Sequence, residues 1–139
     1  LDLLGDLEAE SRRIAGLRDM LESGLIQALP DTHIWGRTVP RLPGTSYLRF
    51  GQLSVDVVLQ RLDRLGVAAS SGAACSSAGI AASHVLTAMG VPADEALAAV
   101  RFSLGATSTR ADVTYLLNAL PPLLEPLLRE EMLIPTGSQ

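Results

Sequence analysis

The chain has 139 residues, a formal net charge of −4, 47% apolar residues and 4% aromatic ones. These figures describe one globular domain with a core of Leu, Val and Ala, and they exclude a disordered chain and a basic nucleic-acid surface. No apolar run nears the ~20 residues that span a bilayer. A lone cysteine, Cys75, makes no intramolecular disulfide, which points to a reducing, cytoplasmic setting. The 11 Lys and Arg residues are all arginine, so any lysine Schiff base would take its amine from elsewhere. The chain opens at Leu1 already in helical pattern, as expected of a piece of a longer polypeptide.

In chain order, residues 6–29 predict an amphipathic helix with Leu7, Ile14, Leu17, Leu21 and Leu25 near one face, ended by Pro30 and Asp31. Thr32 to Trp35 is a strand candidate. His33 reads as a strand residue, because no second His, Cys or carboxylate sits at metal-ligand spacing. A Gly/Pro loop leads to Thr45–Phe50, whose alternation puts Ser46, Leu48 and Phe50 on one face and Tyr47 and Arg49 on the other. Ser54 caps a helix striped by Val55, Val58, Leu59, Leu62 and Leu65, with Gly66 placed for a left-handed cap. Val67 to Ala69 predicts a brief strand.

Ser70 to Gly79, SSGAACSSAG, follows with Cys75 near its middle. Two glycines, four serines and no long apolar side chain favour a mobile loop. A thiol on such a loop can travel and react. The alternative is a small buried hydrophobe, the usual fate of a free cysteine. A short helix from Ser83 to Met89 stops at Gly90, with His84 read as structural, and another covers Asp94 to Ala99. Val100–Leu104 alternates Val100, Phe102 and Leu104 against Arg101 and Ser103. Thr109 and Asp112 make a capping-box start to a last helix, with Val113, Leu116, Leu117 and Leu120 inward, which Pro121 and Pro122 are expected to break or kink. The element order gives an α+β fold: a small, mainly antiparallel sheet with helices packed on one face. Residues 1–130 form the domain and 131–139 a flexible tail.

At SSGAACSSAG the chain resembles the NifS/IscS-type cysteine desulfurases, pyridoxal-phosphate enzymes of the class-V aminotransferase group and of fold type I. The resemblance extends to Arg41–Phe50 (RLPGTSYLRF), Gly66–Cys75, Ser83–Gly90 (SHVLTAMG), Val100–Gly105 (VRFSLG) and Thr109–Tyr115. Tyr47 stands where relatives commonly carry Asn, and Ala73 and Ser76 where they carry Ser and Thr. The resemblance implies that this is the small C-terminal domain, with the large pyridoxal-phosphate-binding domain absent from the chain and no cofactor-binding residue within it.

It further implies conversion of L-cysteine to L-alanine, with Cys75 attacking the substrate sulfur and becoming a persulfide. Arg101 would bind the substrate carboxylate, since a guanidinium meets a carboxylate with two prongs. The ordinary fate of a strand arginine is a surface ion pair. The partners implied are L-cysteine and a sulfur-acceptor protein, serving iron–sulfur cluster assembly, tRNA thiolation or DNA phosphorothioation. The whole enzyme would be a homodimer that binds neither nucleic acid nor membrane, and no metal is implied. Three alternatives stand beside this: a non-catalytic module docking sulfur acceptors, a selenocysteine lyase-like activity, and a thiol redox sensor. The last wants a resolving cysteine that the chain lacks.

Overall fold

The computed structural model describes residues 3–37, 41–76, 79–82 and 84–133, with 73–76, 79–82, 84 and 85 described by backbone alone. Helix α1 (Leu3–Ala28) leads to strands β1 (Thr32–Trp35) and β2 (Thr45–Phe50), and then to helix α2 (Val55–Arg64). Strands β3 (Ser70–Ser71), β4 (Ala73–Ser76) and β5 (Gly79–Ala82) come next, followed by short helices α3 (His84–Ala88) and α4 (Ala93–Leu97). Strand β6 (Val100–Ser103) and helix α5 (Arg110–Leu133) complete the order.

Strands β1, β2, β6 and β3 form one sheet in that order, antiparallel throughout, while β4 and β5 form a separate hairpin. The register sets Leu48 opposite Val100 and Ser46 opposite Phe102, so alternation turns Leu48, Phe50, Val100 and Phe102 to one face. Leu17, Leu21 and Leu25 of α1, Val58 and Leu62 of α2, and Val113, Leu116, Leu120 and Leu124 of α5 bury that face. The three longer helices thus lie on one side, as the α+β expectation has it. A smaller cluster of Tyr47, Leu86, Val91, Ala96 and Ala99, joined by Trp35 and Met89, packs α3 and α4 near the opposite side. Leu7, placed by periodicity on the apolar face of α1, is exposed with Leu3 and Leu4, because the first turns of α1 run past the core.

The helix boundaries follow their capping chemistry. The Ser54 hydroxyl accepts from the Val57 N–H at 3.2 Å. At the other end of α2, Gly66 at φ 74° lets its N–H reach Asp63 O while the Val67 N–H reaches Leu62 O, both at 3.0 Å. That bond corrects the expectation of a strand at Val67 to Ala69. Val67 has spent its N–H on the helix cap, and pairing begins instead at Ser70. Gly90 ends α3 with the same pattern, through Thr87 O and Leu86 O. Thr109 and Asp112 exchange their capping bonds at 2.9 and 3.2 Å.

Two further expectations are corrected. Pro121 and Pro122 do not break the last helix: α5 continues past them and past Pro126 to Leu133. Each proline removes one N–H and so frees the carbonyl four residues earlier, at Leu117, Asn118 and Pro122. Asn118 and Pro122 lie at exposed positions, where water can take those carbonyls. Meanwhile Leu120, Pro121, Leu124 and Leu128 are buried, so the apolar face carries the helix through. Residues 131–133 are therefore helical, and 134–139 lie outside the described residues. The second correction concerns Ser70–Gly79, whose described backbone is strand at 70–71, 73–76 and 79. Antiparallel pairing joins backbone groups and needs no apolar stripe, so a run of Ala, Ser and Gly makes a hairpin that periodicity does not announce.

Candidate active site

Cross-strand register assembles the site. Arg101 pairs with Tyr47 on one side and Ser70 on the other, so all three share the sheet face turned away from the main core. Trp35 joins them because it pairs with Tyr47. On this face lies a cleft of about 570 Å³, lined by Trp35, Arg41, Tyr47, Met89 and Arg101 among others. Its walls are largely apolar. The Trp35 ring is braced by His33, edge-on at 4.8 Å between centroids, and by the Arg49 guanidinium at 6.0 Å.

Arg101 is half-buried, and its Nη2 donates to Ser70 Oγ at 3.0 Å. Its Nε is buried without a partner, and among the described residues no carboxylate pairs with it. A desolvated donor left unmatched is costly, of the order of 1–3 kcal/mol. The ordinary fate of a strand arginine, a surface ion pair, is absent among these residues.

The other cation of the cleft is already spent. Arg41 grips Glu22 with both prongs, Nη1 to Oε2 at 2.7 Å and Nη2 to Oε1 at 2.6 Å. The Glu22 side chain is fully buried, takes a further bond from the Ser46 hydroxyl at 2.6 Å, and lies 3.7 Å from Arg37 Nε. This cluster ties α1, the chain after β1 and strand β2 together. A buried carboxylate so enclosed is bound on nearly every lone pair.

Cys75 stands on β4 opposite Ile80 of β5. Its side chain, and so the expectation that its thiol is accessible, lies outside the described residues, as does the side chain of His84. What the backbone fixes is the root of the hairpin. Gly72 N–H donates to Ala99 O at 2.6 Å, directly after the Ser70–Arg101 and Ser71–Val100 pairs. A Cβ at Gly72 would sit 2.7 Å from Ala96 O and 2.9 Å from Ala99 Cβ, so only glycine fits between β3 and α4. Cys75 is three residues further on, and at about 3.3 Å per residue its Cα lies within about 10 Å of the Gly72 Cα. The chain thus leads in five steps from Ser70, the cross-strand partner of Arg101, to Cys75.

Ser70, Tyr47, Trp35 and the Glu22–Arg41 pair were missed as site residues by sequence reasoning. Alternation does place Tyr47 on the face opposite Leu48 and Phe50. Only the β2–β6 register, however, brings it beside Arg101. Among the described residues no group of three His, Cys, Asp or Glu is placed to hold a metal, and no helix is long and apolar enough to cross a membrane.

The family model for class-V aminotransferases covers residues 1–116, and the chain belongs to that family. Within it the chain is NifS-like. It is 39% identical over 116 residues to cysteine desulfurase 2 of Trichormus variabilis, covering 84% of this chain and 29% of that protein. It is 41% identical over 111 residues to the cysteine desulfurase of Cereibacter sphaeroides, covering 80% and 29%. With cysteine desulfurase NifS of Azotobacter vinelandii it shares 35% over 121 residues, covering 87% and 30%. The NifS-like protein of Rickettsia africae superposes with a TM-score of 0.68 at 28% identity, over 87% of this chain and 31% of that one. The chain spans about 30% of the length of the relatives it matches.

Proposed function

We propose that this chain is the sulfur-carrying part of a cysteine desulfurase that converts L-cysteine to L-alanine. The observation that carries the reading is the guanidinium of Arg101, which lines an apolar cleft with no carboxylate partner among the described residues and pairs across the sheet with Ser70, five positions before Cys75. Pyridoxal phosphate, when bound, supplies the electron sink for such a reaction. The chain contains no lysine, so it offers no amine to anchor that cofactor and its own residues act on the substrate and the sulfur.

Arg101 takes the substrate carboxylate through paired N–H···O bonds, with Trp35, Tyr47 and Met89 keeping the pocket dry. The Cys75 sulfur then bonds to the substrate sulfur as the substrate C–S bond breaks. The substrate carbon takes a proton, and the product pair is L-alanine and a Cys75 persulfide. The persulfide passes its outer sulfur to an acceptor protein, which approaches the hairpin.

The test uses the whole protein containing this chain, loaded with pyridoxal phosphate and given L-cysteine. Alanine should form and the peptide bearing Cys75 should gain one sulfur in mass. Cys75→Ser should abolish transfer and leave the melting temperature unchanged. Alanine formation without added mass on Cys75 would overturn the carrier role. Arg101→Ala should cost no more than about 1 kcal/mol of stability, since the charge-assisted bond to Ser70 that it gives up is worth about 1.5–3 kcal/mol and the buried, unmatched Nε that it removes costs about 1–3 kcal/mol. It should lower kcat/KM for L-cysteine by about 30- to 1,000-fold, the scale of removing one partner of a desolvated charge pair.

A further inference from the structure

We propose that Ser70 is a positioning residue for the carboxylate site, aiming the Arg101 guanidinium into the cleft. The inference rests on the reading of Arg101 as the carboxylate ligand. Ser70 and Arg101 are direct partners across β3 and β6, so both side chains leave the same face of the sheet. The Ser70 hydroxyl accepts from Arg101 Nη2 at 3.0 Å. Ser71, one residue on, pairs with Val100 and belongs to the other face, so β3 offers this hydroxyl from one position alone.

The chemistry of the acceptor matters. A carboxylate here would orient the guanidinium and also neutralise it, competing with the incoming ligand. A hydroxyl orients the guanidinium and leaves its charge intact. Arg41 illustrates the contrast within the same cleft: Glu22 both holds and neutralises it. Arg101 also keeps a buried, unpartnered Nε, so its planar group is set by Ser70 rather than by its own full satisfaction. The support is rigid, because the strand that carries Ser70 is fastened to β6 and then to Ala99 O through Gly72. An arginine side chain gives up substantial rotamer freedom when it binds, and a pre-aimed one gives up less.

Two measurements test this. In the whole, cofactor-loaded protein, Ser70→Ala should raise KM for L-cysteine about fivefold with kcat within twofold, the scale of one lost hydrogen bond. Ser70→Thr, which keeps the hydroxyl, should return KM to within about twofold of the starting value. In the chain alone, the side-chain N–H resonances of Arg101 should be sharp and distinct in the unaltered protein and in Ser70→Thr. They should average toward free arginine in Ser70→Ala. Unchanged KM and unchanged Arg101 resonances in Ser70→Ala would overturn the positioning role, as would equal losses in the Ala and Thr variants. If Arg101→Ala leaves KM and kcat/KM unaltered, the carboxylate reading fails and this inference fails with it. If Arg101→Ala is severe and Ser70→Ala silent, the positioning role alone is lost.

Discussion

Gly72→Ala should destabilise the chain by about 2 kcal/mol. The added Cβ meets Ala96 O at 2.7 Å and Ala99 Cβ at 2.9 Å, both rigidly placed, and Leu86 Cδ1 at 3.1 Å, which can turn aside. Overpacking against fixed atoms costs about 1–3 kcal/mol. Pushing the strand outward also stretches the Gly72–Ala99 bond, now 2.6 Å, for about 1 kcal/mol more. Against this stands about 0.4–1 kcal/mol gained because alanine restricts the unfolded chain. Urea melts of the two proteins, with equal slopes, should show the lower midpoint, and thermal melts a fall of about 6 °C. Because the root of the hairpin moves, sulfur loading of Cys75 should fall as well. An unchanged or raised stability would mean that β3 does not press on α4, and the fixed-root account of the hairpin would go with it.

Three other outcomes are expected. Glu22→Ala should cost about 3 kcal/mol, since the half-buried Arg41 loses its carboxylate and the buried Ser46 hydroxyl its acceptor; adding Arg41→Ala should recover part of it in a double-mutant cycle, and strict additivity would deny the coupling. Thr109→Ala removes the hydroxyl that accepts the Asp112 N–H and should lower stability by about 1 kcal/mol in urea melts. The Arg13 guanidinium, bonded to Glu10, holds that carboxyl below its ordinary range. Its small stabilisation is therefore present above the unfolded carboxyl value and is lost as pH falls through the lowered folded one, so Glu10→Gln should lose that small contribution at neutral pH, leave stability below both carboxyl values unchanged, and so flatten the acid side of a stability–pH curve.

The elements that sequence made legible are those whose signals are local. Ser54, Thr109 and Asp112 cap helices through bonds to residues three positions away, and Gly66 and Gly90 stop them by adopting positive φ. The 45–50 and 100–103 strands showed their alternation directly. What stayed hidden depends on partners distant in the chain. Ser70 lies 31 residues from Arg101, and nothing in SSGAACSSAG marks which serine faces it. Glu22 looked like one charge among several on α1, because its burial depends on Arg41 and Ser46 arriving from elsewhere. The prolines of α5 misled for the same reason: local chemistry opposes the helix, and burial of Leu120 and Leu124 supplies the contrary force. Tyr47 and Arg101 were separately placed on outward strand faces, yet the cleft they share exists only through register.

Those prolines also bear on the order in which the chain can fold. A segment with Pro121, Pro122 and Pro126 has little tendency to be helical in isolation, since each proline costs about 3 kcal/mol in a helix interior. Its last turns must wait for a surface to condense upon. That surface includes α1, which meets Leu117 at Gly24 and lies at the far end of the sequence. The apolar face of α1 therefore stays partly uncovered until α5 is complete. Closing so long a loop is slow, and assembly of α1, the sheet and α5 is expected to be one late, cooperative event rather than a stepwise growth from the N-terminal end.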